Sequence, residues 1–108
     1  MNEITMGRLD ALPDNAGTRL DIGEEHVAVF RIGDDVHAIA DRCSHAEASL
    51  SEGELFGTSV ECPRHGAEFD ITTGRQLSLP ATKPVRAFAA RVVDGEVLVT
   101  INGGGNDD

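Results

Sequence analysis

Two β-branched runs near the C-terminus, residues 85–93 and 96–101, are parted only by Asp94-Gly95. Asp-Gly between such runs marks a two-residue turn with positive φ, which folds the runs back on each other as an antiparallel hairpin. The same punctuation recurs upstream. Residues 18–22 alternate and stop at Gly23, and residues 26–32 stop at Gly33-Asp34-Asp35 with residues 36–40 following. In the second of these runs Val27 and Val29 fall on one side and Ala28 and Phe30 on the other. Short runs at this spacing predict an all-β fold, a small antiparallel sandwich or barrel. Val97, Val99 and Ile101 share one face of its last strand. The one helix-like stretch, residues 46–55, contains Gly53 and amounts to a turn or two at most.

With 108 residues the chain makes a single domain, residues 1–108, with one modest core. Its formal charge is −10 and its nine Lys and Arg form no cluster, which argues against nucleic acid and against an anionic membrane surface. The acidity suits a basic protein partner, or it serves solubility alone. No window approaches the roughly 18 apolar residues of a membrane helix, and the N-terminus has no basic start followed by an apolar run. A cytoplasmic protein is expected. Two cysteines, Cys43 and Cys62, then point to metal binding or redox chemistry sooner than to a disulfide.

Residues 41–80 read differently from the rest. They hold Cys43-Ser44-His45 and Cys62-Pro63-Arg64-His65-Gly66, with residues 46–61 between and glycines at 53, 57, 66 and 74. The expected organisation is a β frame of residues 1–40 and 81–102, an inserted loop-rich, cluster-binding subdomain of residues 41–80, and a flexible tail of residues 103–108. Each motif offers one thiolate and one imidazole, and two such loops make a four-ligand cage. That donor set suits zinc, copper or an iron–sulfur cluster, whereas calcium and magnesium ask for oxygen. Zinc sites more often use Cys-x₂₋₄-Cys knuckles or closely spaced His pairs. His26 and His37 have no cysteine nearby and are read as ordinary strand residues.

The two motifs, with Leu50, Gly53, Phe69-Asp70, Thr73-Gly74 and Pro80, resemble the Rieske [2Fe–2S] family over nearly the whole chain. The resemblance implies a Rieske-like fold and one [2Fe–2S] cluster, with Cys43 and Cys62 on the inner iron and His45 and His65 on the outer, surface-facing iron. Ser44, Pro63, Arg64, Gly66, Phe69 and Pro80 are implied to form its surroundings, Phe69 also as core filling. Gly66 and Gly53 serve either close backbone approach to sulfide or plain turns. Asp70 is read as a loop cap or a salt-bridge partner. Ala46, Leu50 and Pro63 are expected to form an apolar contact around the two histidines.

Respiratory-chain Rieske proteins carry an extra disulfide between the loops. The matching positions here are Ala48 and Arg64, so none forms. Where those proteins place Ser and Tyr hydroxyls as donors to sulfur, this chain has Ala67 and Phe69. Fewer donors leave the reduced cluster less stabilised, so a potential near roughly −150 mV is expected. The pattern resembles the ferredoxins of bacterial ring-hydroxylating dioxygenase systems. It implies a soluble one-electron carrier, not itself an enzyme, working as a monomer between a flavin-containing NAD(P)H reductase and a terminal non-haem iron oxygenase. The alternatives are a Rieske-like small subunit of nitrite reductase, an accessory to iron–sulfur cluster assembly, and a zinc or interaction module.

Overall fold

The computed structural model describes residues 2–42, 48–64, 66–78 and 83–101. The tail beyond residue 101 lies outside them, as do Cys43, Ser44, His45, His65 and Pro80. Nine strands are assigned among the described residues: β1 (Asn2–Arg8), β2 (Ala16–Ile22), β3 (Glu25–Ile32), β4 (Asp35–Ala40), β5 (Glu54–Phe56), β6 (Ser59–Glu61), β7 (Glu68–Asp70), β8 (Ala87–Val93) and β9 (Glu96–Ile101). Three-residue 3₁₀ turns occupy Leu9–Ala11 and Leu50–Glu52.

Six strands form one antiparallel sheet in the order β1-β9-β8-β4-β3-β2, and β5-β6-β7 form a second, smaller one. The fold is the all-β antiparallel architecture expected from the sequence, with the large sheet curled. The β8–β9 hairpin turns at Asp94 and Gly95, whose φ values of 52° and 79° are those of the two-residue turn expected from Asp-Gly. Between the two halves of the large sheet the β4–β8 pairing is brief, Ala38 against Phe88 and Ile39 against Ala87. Across that corner the apolar residues of β2 and β3 meet those of β1 and β9. Val27, Val29, Val36, Ala38, Phe88, Val97, Val99 and Ile101 bury together, with Ile4, Met6, Leu20 and Ile22 half-buried against them.

Strand β3 is buried on both faces. Val27, Ala28, Val29 and Phe30 have no exposed surface at all. Ala28 and Phe30, with Ile39 of β4, turn away from the first core into a second one, formed with Leu50, Leu55, Val60, Cys62, Ala67, Phe69, Ile71 and Val85. Burying side chains of this size stabilises by about 1.5–3 kcal/mol each. The small sheet is therefore fastened to the back of β3 and β4.

Two expectations change. Residues 41–80 hold more regular structure than a loop region, because β5, β6 and β7 lie within them. Three-residue strands leave too few alternations to show a period of two. In the stretch 46–55, described from residue 48 onward, helical structure is the single turn Leu50–Glu52, within the turn or two expected. Leu50 itself is fully buried in the second core, so it takes no part in an apolar surface patch. Strand β1 went unforeseen, since Asn2–Arg8 mixes polar and apolar residues without strict alternation.

Candidate metal centre

Cys62 follows β6 directly and opens a tight reversal into β7. Its N–H donates to the Ala67 carbonyl at 2.7 Å, and its own carbonyl accepts the Gly66 N–H at 3.0 Å. Val60 opposes Phe69 and Glu61 opposes Glu68, so the reversal extends an existing ladder. Gly66 has φ 78°, where a side chain would be strained, which answers why glycine stands there. The Cys62 thiol is free and only 1% exposed, set among the side chains of the second core. Pro63 and Arg64 form the exposed outer corner of the turn.

The segment carrying Cys43 and His45 leaves from the end of β4. Its two ends are joined by a bridge between Arg42 and Ser49 and by the Leu50 N–H, which donates to the Asp41 carbonyl at 2.5 Å. The Asp41 N–H donates in turn to the His26 carbonyl at 2.8 Å. Asp41 is 2% exposed, and its carboxylate accepts the Ser49 hydroxyl at 2.5 Å and the Ser51 N–H at 2.8 Å. Arg19 of β2 stands 3.8 Å from the same carboxylate. Ala48, leaving the segment, packs against the core cluster that contains Leu50 and Cys62. The two motif-bearing segments thus start from one patch of core.

Of the candidate ligands, Cys62 alone lies among the described residues; Cys43, His45 and His65 lie outside them, as do Ser44 and Pro80 of the implied surroundings. Among the described residues no three His, Cys, Asp or Glu side chains gather as a metal site. Phe69 is fully buried in β7 and fills the core. Asp70 caps its turn: its carboxylate accepts the Thr72 N–H at 2.8 Å and the Thr72 hydroxyl at 2.6 Å, chiefly through which its carboxyl is held below the usual carboxylate range. His26 contacts Asp21 at 2.7 Å on the frame surface. Asp41 escaped the sequence reading; its position two residues before Cys43, with serines at 49 and 51, was the available signal.

The residues present suit an iron–sulfur group. A thiol buried without a disulfide partner, in a turn whose two ends are pinned by backbone hydrogen bonds, is where a soft metal centre finds a fixed thiolate. The family model of the Rieske [2Fe-2S] domain matches residues 2–89. The chain belongs to the Rieske [2Fe–2S] domain family. This Rieske chain is 42% identical over 96 residues to the anthranilate 1,2-dioxygenase ferredoxin subunit of Burkholderia cepacia, covering 89% of each chain. The solved ferredoxin of carbazole 1,9a-dioxygenase from Nocardioides aromaticivorans IC177 superposes with TM-score 0.90 at 38% identity, over 94% of this chain and all of that one. A structure described as a complex of reduced oxygenase and oxidised ferredoxin in carbazole 1,9a-dioxygenase matches with TM-score 0.84 at 38% identity, over 90% of this chain and 91% of that one. The cofactor of the Rieske chain is a [2Fe–2S] cluster of Rieske type, and its role is that of an electron carrier, not a catalyst. Among the described residues no helix is long and apolar enough to cross a membrane.

Proposed function

We propose that this Rieske protein carries single electrons from a flavin-containing, NAD(P)H-dependent reductase to a terminal ring-hydroxylating oxygenase, with Cys43 and Cys62 on one iron and His45 and His65 on the other. The observation that carries the ligand assignment is Cys62, a buried free thiol in a closed turn, in the same core cluster as Leu50, next to the joined ends of the first motif in the chain. The relatives with dioxygenase names support the choice of acceptor. When bound, the cluster supplies a one-electron store whose imidazole ligation raises the potential above that of four-thiolate ferredoxins.

The chain's own residues hold that store and wall it off. Residues 41–80 act as the binding subdomain on a frame of residues 1–40 and 81–102. Leu50, Ala67, Phe69, Ile71 and Val85 exclude water from the Cys62 side, which lowers the local dielectric. Histidine ligands at the outer edge would hand electrons to a docked partner without a substrate pocket. Small, transient interfaces of this kind suit a cytoplasmic monomer.

The test has two parts. Iron and acid-labile sulfide analysis, with electron paramagnetic resonance of the reduced protein, should give two irons, two sulfides and a Rieske spectrum. Replacing any of Cys43, His45, Cys62 or His65 with Ala should abolish that spectrum. A purified flavin reductase with NADH should then reduce the protein, and an oxygenase with its substrate should reoxidise it. Bound zinc would overturn the ligand reading; oxygenases that leave the reduced protein unoxidised would overturn the acceptor.

A further inference from the structure

Burying a carboxylate is costly unless it is well partnered, and Asp41 is the one charged side chain buried among the described residues. Its partners lie on the far side of the first motif. The Ser49 hydroxyl donates to Oδ2 at 2.5 Å and the Ser51 N–H to Oδ1 at 2.8 Å, while Ser49 Oγ is also 2.8 Å from Ser51 Oγ. The backbone adds the Leu50 N–H to the Asp41 carbonyl at 2.5 Å. A single side chain therefore grips the chain where it leaves the motif, from the point where it enters. The Arg19 contact is looser, at 3.8 Å from a half-exposed guanidinium that also binds Asp21 at 2.8 Å. Ion pairs of that kind contribute little.

We propose that Asp41 is a positioning residue for the cluster: through Ser49 and Ser51 it sets the spacing and direction of the two chain ends from which Cys43 and His45 arise. The inference rests on those two residues being ligands. A clamp of hydrogen bonds, unlike a bare charge, loses its effect when either partner is removed. Asp41 and Ser49 should therefore act as one unit.

Holoproteins carrying Ser49→Ala, Asp41→Ala, Asp41→Asn and Arg19→Gln are compared with the parent in three measurements. These are iron release from the reduced protein to a ferrous chelator, the g-values and line widths of the paramagnetic spectrum, and the far-ultraviolet melting curve. Ser49→Ala and Asp41→Ala should each release iron about tenfold faster, the scale of one lost buried hydrogen bond to a charged group, and should broaden the spectrum. Asp41→Asn keeps one acceptor and should fall between them and the parent. Arg19→Gln should match the parent, and the double variant Asp41→Asn/Ser49→Ala should be no worse than Ser49→Ala alone. Ser49→Ala and Asp41→Asn carry the test if Asp41→Ala does not fold. Parent-like iron release and spectra in both of them would overturn the clamp, as would a spectrum unchanged beside a lowered melting temperature. An Arg19→Gln effect equal to that of Ser49→Ala would overturn it in favour of charge pairing. A parent protein without a Rieske spectrum overturns the ligand reading instead, and with it the inference.

Discussion

Gly74 and Val85 lie back to back: the Gly74 carbonyl accepts the Val85 N–H at 2.8 Å, and a Cβ on Gly74 would overlap the Val85 carbonyl. This contact ties the turn after β7 to the segment that leads into β8. Gly74 also has φ 80°, in the region that side chains rarely adopt.

Gly74→Ala is therefore expected to combine backbone strain with a collision against a carbonyl that cannot step aside, for a loss of about 2–4 kcal/mol. Gly57→Ala shares the positive φ but meets nothing within 4 Å, and should lose only about 1 kcal/mol. Thermal melts of the two variants check the difference. Equal shifts would mean that the segment at Val85 yields to the added methyl.

The resemblance implies that Ala67 and Phe69, both fully buried, stand where respiratory-chain Rieske proteins have hydroxyl donors to sulfur. The midpoint should lie near roughly −150 mV. Ala67→Ser supplies a hydroxyl beside the Cys62 turn and should raise it, by up to roughly 60 mV for a differential hydrogen bond of about 1.4 kcal/mol. A redox titration of both proteins decides. A parent value well above zero, or a downward shift in the variant, contradicts the expectation.

Asp70 gives a pH signature. Hydrogen bonds from Thr72 hold its folded carboxyl below the ordinary value of 3.8. A depressed folded value stabilises the protein above the unfolded value and is lost as pH falls through the folded one. The parent should thus exceed Asp70→Asn in stability at neutral pH, by less than about 1 kcal/mol for so accessible a group. Below about pH 4 the gap should close. Denaturant midpoints measured from pH 2 to 7 follow it; a gap independent of pH would assign the benefit to turn geometry alone.

Part of the −10 charge is concentrated on the small sheet, where Glu54 stands opposite Glu61 and Glu61 opposite Glu68. Like charges in register cost about 0.2–1 kcal/mol. Glu61→Gln should therefore stabilise the fold slightly at low salt. If the acidity steers a basic partner, electron transfer to the oxygenase should also slow in this variant, and in the parent at ~1 M salt, where the Debye length is about 3 Å. Rates indifferent to salt and to Glu61→Gln would leave the charge a matter of solubility.

The parts of this fold legible in the sequence are those with many residues voting together. Strands β3, β4 and β9 follow apolar, β-branched-containing runs that border the turns at Gly33 and Asp94-Gly95, and the burial of Val97, Val99 and Ile101 follows their period of two. The family was equally legible, because two Cys–His motifs in so small a chain leave few other readings. The rest depended on partners distant along the chain. Leu50 looked like a surface residue near the ligands, and only the closure of the second core over it decides otherwise. Little in the sequence sets Asp41 apart from the other acidic residues, because its partners Ser49 and Ser51 meet it only in the folded chain.

Strand β3, walled in on both sides, makes the unfolding of this molecule indivisible. Its amides cannot open to solvent without dismantling the valine core and the cysteine-bearing core together. They should exchange hydrogen only through global unfolding, at the slowest rate in the chain. Loading the cluster, by mass action on the folded state, should then slow exchange deep in the sheet as well as around Cys62. The core that holds Cys62 and the plain β scaffold share one stability.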